Sequence, residues 1–401
     1  MNQPWEHLSE REVFFRHLAL TSFEPPAVQF SRAEGIYLYT SEGECYTDLS
    51  AGFSVNNLGY GQPAIVKAIQ EQAAKYLHQT VYGEFVQSPQ VQLAARLVSV
   101  LPSPLDCVYL VNSGAEAIEG AMKLAKRVTG RPLIATFEKA YHGSTQGALS
   151  LMGDETLKQK YRPLLPGIIR LRFNCFEDLE RITPDVAAVV VEPVQAEAGV
   201  VVPGEGFLQA LRQRCNGTGT LLVFDEIQTG LGRTGALFAF EKFGVIPDIL
   251  CLAKALGAGM PLGAFISSKS RMDTLAVNPA LGHLTTFGGN PISAAAACAG
   301  FDVLIESRLW ETVDEKAEIL TKGLDAYPHI REVRRAGLLI AIDFQSIELA
   351  DRMLGFLWKN RLISDRFLFC PTALRLSPPL IITKEEAFEV NKRLHNILNQ
   401  L

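Results

Sequence analysis

Lys254 could supply an amine that bonds covalently to an aldehyde. It lies among apolar and small residues, in the run Leu-Ala-Lys-Ala-Leu-Gly-Ala-Gly. Burial in such surroundings lowers the pKa of a lysine and leaves its amine free to attack a carbonyl carbon. The alternative is a lysine whose amine reaches solvent past an apolar surface, which is the more common arrangement of this side chain.

Asp225 could hold the protonated nitrogen of a pyridine ring. It ends the apolar run of residues 221–224, where an unpaired carboxylate would be costly to bury. A protonated ring nitrogen would pair with this carboxylate, and the ring would then act as an electron sink. A helix N-cap or an ion pair with another side chain is the alternative, but the position at a strand end favours a functional group.

Two further segments could bind a phosphate and a flat ring. Ser113, Gly114 and Ala115 precede a helical pattern, and the free amides and positive dipole at a helix N-terminus favour an anion. A plain helix cap would use the same residue types. Tyr141, which is followed by His-Gly, could stack on a heterocycle, although a half-buried loop tyrosine would look the same in sequence.

The elements that would position these residues alternate between strand and helix. Residues 116–129 have one apolar face at helical spacing and end before Gly130. Short apolar runs, typical of strands buried on both faces, occupy residues 108–111, 187–191, 221–224 and 249–252. This alternation predicts an α/β domain with a mostly parallel central sheet. Ligands of such a sheet bind beyond the carboxyl ends of its strands, where the candidate residues lie.

The pattern changes after Pro291. It predicts helices for residues 292–306, 311–326 and 384–398, and strands for residues 333–344 and 373–382. We therefore expect a large domain of residues 51–291 and a smaller α+β domain of residues 292–401. The N-terminal segment, residues 1–50, is expected to join the smaller domain.

Composition excludes several classes of protein. The net charge of the 401 residues is −5, and no run of Lys and Arg indicates a nucleic-acid partner. The seven cysteines form no Cys-x-x-Cys pair, so we expect a reduced, cytoplasmic protein without a metal site. The first fifteen residues contain no signal-peptide pattern, and the apolar runs are too short to span a bilayer.

The glycine pattern at residues 230–235, Gly-Leu-Gly-Arg-Thr-Gly, raises the alternative of a dinucleotide cofactor. A dinucleotide-binding motif needs these glycines to open a helix directly after a strand, with an acid ending the next strand about 20 residues on. Here Ile227, Gln228 and Thr229 separate the motif from the acidic pair that ends the strand, and Asp248 precedes the next strand. We therefore interpret the segment as a loop.

Together these residues resemble the class III aminotransferases, which are pyridoxal-phosphate (PLP) enzymes of fold type I. The resemblance covers about residues 32–401 and is nearest to acetylornithine, ornithine and putrescine aminotransferases. Asp225 and Lys254 are 29 positions apart, as in that family. The most specific stretches are Asn-Ser-Gly-Ala-Glu-Ala at 112–117, Val-Glu-Pro-Val-Gln at 191–195, Phe-Asp-Glu-Ile-Gln-Thr-Gly at 224–230, Lys-Ala-Leu-Gly at 254–257 and Thr-Phe-Gly-Gly-Asn-Pro at 286–291.

The resemblance implies that Lys254 holds PLP as a Schiff base and moves the substrate proton, and that Asp225 pairs with the ring nitrogen. Tyr141 and Ile227 would cover the two faces of the ring. The other implied cofactor contacts are the phosphate-binding Ser113, Gly114 and Ala115, the ring-hydroxyl contact Gln228, and Glu192 beside this network.

Two further roles follow from the resemblance. Arg375 would bind a substrate carboxylate, and Glu197 would pair with Arg375 when no such carboxylate is present. Thr286 would reach the phosphate in the neighbouring subunit, which implies a homodimer with shared active sites. The partners would otherwise be a small-molecule amine donor and a keto acid, without nucleic acid or membrane.

The sequence departs from the acetylornithine and ornithine enzymes at Ser144, where those enzymes usually carry an arginine for the donor's α-carboxylate. A hydroxyl cannot replace a guanidinium group. The expected function is transfer of an amino group from an ω-amine or ω-amino acid to a keto acid such as 2-oxoglutarate or pyruvate. Three alternatives stay open: an acetylornithine or ornithine aminotransferase proper, a PLP aminomutase, and a non-catalytic PLP-binding protein.

Overall fold

Three β-sheets organise the chain, of which a computed structural model describes residues 8–401. The first sheet pairs strands from the N-terminal part of the chain with one strand from the C-terminal part. Its strands run in the order β1-β2-β3-β13, and β13 pairs with β3 in parallel. The bounds are β1 (Arg32–Glu34), β2 (Tyr37–Tyr39), β3 (Cys45–Asp48) and β13 (Leu362–Ile363).

The second sheet has seven strands in the order β4-β10-β9-β8-β7-β5-β6. β10 runs antiparallel to both of its neighbours, and the other six strands run in one direction. The mostly parallel sheet predicted from the sequence is therefore confirmed. The bounds are β4 (Cys107–Val111), β5 (Leu133–Phe137), β6 (Ile168–Leu171), β7 (Val186–Val191), β8 (Leu221–Asp225), β9 (Ile249–Leu252) and β10 (Gly263–Ser267).

The third sheet is antiparallel, in the order β11-β12-β15-β14. Its bounds are β11 (Ile330–Ala336), β12 (Leu339–Phe344), β14 (Asp365–Phe367) and β15 (Cys370–Leu376). The α/β sheet and this smaller α+β part agree with the predicted fold class.

Helices cover these sheets. They are α1 (Glu10–His17), α2 (Ala51–Ser54), α3 (Pro63–Lys75), α4 (Ser88–Val100), α5 (Gly114–Thr129), α6 (Gln146–Leu151), α7 (Phe207–Thr218), α8 (Ala239–Phe243), α9 (Lys269–Met272), α10 (Pro291–Ser307), α11 (Val313–Thr321), α12 (Ile347–Lys359) and α13 (Lys384–Leu398). Among the described residues, none of the helices combines the length and apolar character needed to cross a membrane.

The strands and the helix at the centre of the fold form where the apolar patterns predict them. Every residue of β7 and β8 is buried, as expected for apolar strands covered on both faces. Helix α5 buries its apolar face, is capped by the Ser113 hydroxyl and ends at Gly130, whose φ is +69°. This geometry fixes the start of α5 at the end of β4.

Three predicted elements of the C-terminal part differ from their patterns: two are shorter, and one is a hairpin. The predicted helix 311–326 is reduced to α11, because Gly323 turns the chain with φ +73°. The predicted strand 333–344 is the hairpin of β11 and β12, which turns at Gly337. The predicted strand 373–382 ends at Leu376, since Pro378 and Pro379 have no N–H for a sheet.

The glycine-rich loop at residues 230–235 follows β8 and contacts the C-terminal part of the chain. No helix begins at its glycines; the next helix is α8. Arg233 is fully buried there and donates hydrogen bonds to the carbonyl oxygens of Leu338 (2.9 Å) and Pro378 (2.6 Å). The loop therefore holds the C-terminal part against the central sheet.

Candidate active site

A cavity of about 490 Å³ lies at the carboxyl ends of β4, β7, β8 and β9. This is the edge at which a mostly parallel sheet binds its ligands. The cavity wall contains all of the predicted site residues except Arg375 and Thr286: Ser113, Gly114, Ala115, Tyr141, Ser144, Glu192, Glu197, Asp225, Ile227, Gln228 and Lys254.

Lys254 directs its amine into the cavity and not towards the surface. It follows β9 in the left-handed region, with φ +47°, and its Nζ donates to Oε1 of Gln228 at 2.8 Å. Burial lowers the pKa of the amine, although the charge of Glu197 acts in the opposite direction. A larger fraction of the amine is therefore uncharged and able to act as a nucleophile or a base.

Asp225 is 4% exposed and has two partners. Its Oδ1 accepts the backbone N–H of Ile227 at 3.0 Å, and its Oδ2 lies 2.7 Å from Nδ1 of His142. The alternative of a side-chain partner for Asp225 is thus partly realised by His142, which is buried and lies on the cavity wall. His142 was not predicted as a site residue, although it directly follows Tyr141, which was.

The start of α5 forms an anion-binding cradle. The Ser113 hydroxyl accepts the N–H of Glu116 at 3.2 Å, which leaves the first amides of the helix, those of Gly114 and Ala115, without an acceptor inside it. A Cβ at position 114 would lie 2.9 Å from the Ile227 side chain, so glycine lets these two elements approach closely. The helix dipole adds positive potential at the same point.

Glu192 organises the loop that carries Tyr141. Its two carboxylate oxygens accept the backbone N–H groups of Tyr141 (3.1 Å) and Ala196 (3.0 Å). Burial raises the pKa of Glu192 to about 7, with the charge of His142 opposing the rise and that of Asp225 adding to it. Tyr141 in turn places its hydroxyl 3.3 Å from that of Ser144.

Two polar groups on the cavity wall have no hydrogen-bond partner in the described part of the chain. They are Nε2 of Gln228 and Oγ1 of Thr229, and both are buried. Buried polar atoms without partners are uncommon in native proteins. Together with the amine, the carboxylate and the helix amides, they fit a ligand that carries an aldehyde, a ring nitrogen, a ring hydroxyl and a phosphate.

Arg375 lies behind Glu197 and not on the cavity wall. Its side chain is 1% exposed, and its Nη1 and Nη2 each lie 2.8 Å from a carboxylate oxygen of Glu197. Burial alone would raise the pKa of Glu197, but the charge and hydrogen bond of Arg375 outweigh it and lower the pKa. The predicted pairing of the two residues is therefore present in this structure.

Thr286 lies outside the cavity and is exposed in this single chain. Its neighbour Thr285 is tied to the site, because the Thr285 hydroxyl accepts from Nδ2 of Asn112 at 3.1 Å. The contact predicted for Thr286 is with a second subunit, so it stays a prediction.

Comparison with known proteins identifies the family. Residues 21–398 match the family model Aminotransferase class-III. The chain belongs to the class III aminotransferases. These enzymes are PLP-dependent transaminases, so the predicted family, enzyme class and cofactor are confirmed.

The relatives of this aminotransferase are named for different substrates. Acetylornithine aminotransferase of Methanopyrus kandleri is 39% identical over 88% of this chain and 90% of its own length. The ornithine aminotransferase structure of Toxoplasma gondii matches with a TM-score of 0.88 and 31% identity, over 98% of this chain and 95% of that one. An (S)-enantioselective ω-transaminase of Thermomicrobium roseum matches with a TM-score of 0.89 and 29% identity, over 97% of both chains.

The buried contact between His142 and Asp225 predicts strong energetic coupling in this aminotransferase. In a double-mutant cycle with His142→Phe and Asp225→Asn, urea unfolding of the PLP-free protein should give a coupling free energy of roughly 1–3 kcal/mol. The reason is that either substitution leaves the other buried polar group without its partner.

The control is the cycle of Arg96→Gln with Asp302→Asn, a partly exposed ion pair at 2.7 Å. Its coupling should stay below about 1 kcal/mol. A coupling near zero for His142 and Asp225 would contradict the interaction described above.

Proposed function

We propose that this class III aminotransferase moves an amino group from an ω-amine or ω-amino acid to a keto acid such as 2-oxoglutarate or pyruvate. One observation carries the proposal: the Lys254 amine and the Asp225 carboxylate lie on one cavity wall, with Arg375 held directly behind it by Glu197. The amine and the carboxylate serve the cofactor, while Arg375 serves a substrate carboxylate.

The cavity residues would hold PLP in one orientation. The amides of Gly114 and Ala115, with Ser113, bind its phosphate, and Asp225 faces its ring nitrogen. Tyr141 and Ile227 cover the two faces of the ring, Gln228 meets the ring hydroxyl, and Glu192 supports the loop of Tyr141. When bound, PLP supplies an aldehyde and a ring that accepts negative charge from the substrate carbon.

Protein side chains would then control the proton. Asp225, itself held by His142 and the amide of Ile227, keeps a proton on the facing ring nitrogen. Lys254 has a lowered pKa, so its free amine removes a proton from the substrate carbon and returns it as a general acid.

Arg375 and Glu197 would let one pocket serve two kinds of substrate. When a keto acid enters, its carboxylate replaces Glu197 at the guanidinium group and makes a two-pronged, charge-assisted contact. When an amine without a nearby carboxylate enters, Glu197 keeps Arg375 paired and avoids leaving a buried charge alone.

A second candidate is an acetylornithine aminotransferase proper, which the 39% identical relative favours. Ser144 is the observation against it. Ser144 is exposed at the cavity and bonded to Tyr141, and within residues 8–401 Lys254 is the only Lys or Arg side chain on the cavity wall. Apart from Lys254, which would hold the cofactor, the described residues thus offer a donor carboxylate no lysine or arginine except Arg375, which the acceptor also needs.

We also propose a cytoplasmic homodimer in which Thr286 of each subunit contributes to the other phosphate site. The exposure of Thr286 beside the half-buried contact of Thr285 with Asn112 supports this placement. The proposed domains are residues 51–291 and 292–401, with residues 1–50 joining the latter, and the parallel pairing of β3 with β13 supports that assignment. Sedimentation of the active enzyme tests the dimer, which a fully active monomer would contradict.

The assignment of Lys254 predicts a covalent bond that chemistry can trap. Borohydride treatment of the PLP-loaded enzyme should fix the cofactor on the peptide that contains Lys254, as measured by mass spectrometry. Lys254→Ala should leave PLP bound only non-covalently and lower turnover by at least about 10²-fold, because the general acid–base group is lost. Lys269→Ala, at an exposed position, is the control. Wild-type turnover by Lys254→Ala would show that the assignment is wrong.

Ser144 predicts the choice of donor. An Arg–carboxylate contact is worth roughly 1.5–3 kcal/mol, so its absence should lower kcat/KM for N-acetylornithine by about 10- to 150-fold relative to an enzyme with arginine here. A donor panel with 2-oxoglutarate and pyruvate should therefore favour putrescine and simple ω-amines over N-acetylornithine.

Ser144→Arg should raise activity on N-acetylornithine. The same substitution should leave KM for the keto acid nearly unchanged, since Arg375 is intact. If the wild-type enzyme prefers N-acetylornithine, the second candidate replaces the proposed donor class.

A further inference from the structure

A second carboxylate lies beside Arg375. Nε of Arg375 is 3.4 Å from Oδ1 of Asp365, on the side of the guanidinium group that Glu197 leaves free. Asp365 stands directly opposite Arg375 in the antiparallel pair of β14 and β15, so the two side chains lie on the same face of the sheet. Neither Nε nor Oδ1 has a hydrogen bond to another described residue.

The same hairpin builds the rest of this cluster. Its backbone N–H at Leu368 donates to Oε2 of Glu197 at 3.1 Å. The ring centroid of Phe367 in β14 lies 4.6 Å from the guanidinium carbon of Arg375. The ring centroid of Phe53, in the left-handed segment of α2, lies 5.5 Å from the same carbon. The guanidinium group is thus fixed by aromatic contacts as well as by its two carboxylates.

The charges of the cluster do not cancel. Two carboxylates, Glu197 and Asp365, face one guanidinium group, which leaves one net negative charge when all three are ionised. Asp48 is a further carboxylate nearby. Its hydrogen-bond partners are the hydroxyls of Ser50 and Tyr60 and backbone amides, so it brings no positive side chain to the cluster. Arg366 of the same strand is paired with Asp351 instead.

Burial moves the titration of Asp365 to higher pH than that of an exposed aspartate. Burial raises its pKa to about 6, while the charges of Arg375 and Lys254 lower it and those of Glu197 and Asp48 raise it. At mildly alkaline pH the carboxylate therefore contributes its full charge.

We propose that Asp365 is a specificity-determining residue, whose carboxylate makes the Arg375 end of the cavity negative and so favours donors with a remote ammonium group over monoamines of equal length. The remote end of the donor reaches Glu197, which lies on the cavity wall, and experiences the excess charge there. The inference rests on the proposed function, in which this end of the cavity faces the part of the substrate that does not react.

The test uses two donors of equal length, 1,4-diaminobutane and n-pentylamine, in which a methyl group replaces the remote ammonium group. The PLP-loaded enzyme is mixed with each donor in the absence of keto acid, and the change in cofactor absorbance gives the rate of the first half-reaction as a function of donor concentration. Without an acceptor, no carboxylate competes for Arg375.

Asp365→Asn should lower the second-order rate constant for the diamine by roughly three- to ten-fold, because it removes one charge at close range in a partly buried site. The constant for n-pentylamine should stay within about two-fold of the wild-type value, since that donor has no remote charge. Asp365→Glu should keep the preference. Asp351→Asn is the matched control, because it removes an exposed carboxylate that pairs with the same strand, and it should change neither constant.

Equal losses for both donors would mean that Asp365 has only a structural role. No change in either constant would mean that its charge is not sensed. Either result overturns the inference. If Asp365→Asn does not fold, Asp365→Ser provides the same comparison. The proposed function fails separately, if the wild-type enzyme converts no amine donor with 2-oxoglutarate or pyruvate.

Discussion

The buried carboxylate of Asp225 is the constraint on which the rest of the site depends. A charge at the end of a fully buried strand is costly unless polar partners surround it, and this chain supplies His142 and the amide of Ile227. His142 belongs to the loop that Glu192 fixes through the amide of Tyr141. Ile227 in turn packs against the start of α5, where Gly114 allows the close approach. The Asp225 carboxylate, the loop of Tyr141 and the start of α5 are therefore positioned by one connected set of contacts.

The opposite end of the cavity is built from a different part of the chain. Arg375 and Asp365 come from the β14–β15 hairpin of the third sheet, and Glu197 follows β7 of the central sheet. Their ion pairs join the two sheets at the cavity, with the Lys254 amine between this cluster and Asp225. Because Arg375 is almost completely buried, its charge needs a compensating carboxylate, and Glu197 supplies one in this structure.

The sequence predicts the central α/β part well, because continuous apolar runs such as β7 and a strongly one-sided helix such as α5 leave few alternatives. The C-terminal part was less predictable: the pattern of residues 333–344 does not reveal that Gly337 turns the chain into a hairpin. Within the site, Lys254 and Asp225 were identified from their apolar surroundings. His142 and Asp365 were not, since what makes each important is a partner distant in sequence: Asp225 is 83 positions from His142. The pairing of Asp365 with Arg375 likewise depends on the register of β14 against β15, which periodicity alone does not specify.

The central claim is that the charge of Asp225 maintains a proton on the ring nitrogen of the cofactor. The most direct test is the kinetics of Asp225→Asn, which keeps the size of the side chain and removes its charge. We predict that kcat/KM falls by about 10²- to 10⁴-fold, as for other preorganised charges in active sites. Borohydride should still fix PLP on Lys254 in this variant, which would show that the site is intact. Unchanged kinetics would contradict the claim and place the partner of the ring nitrogen elsewhere.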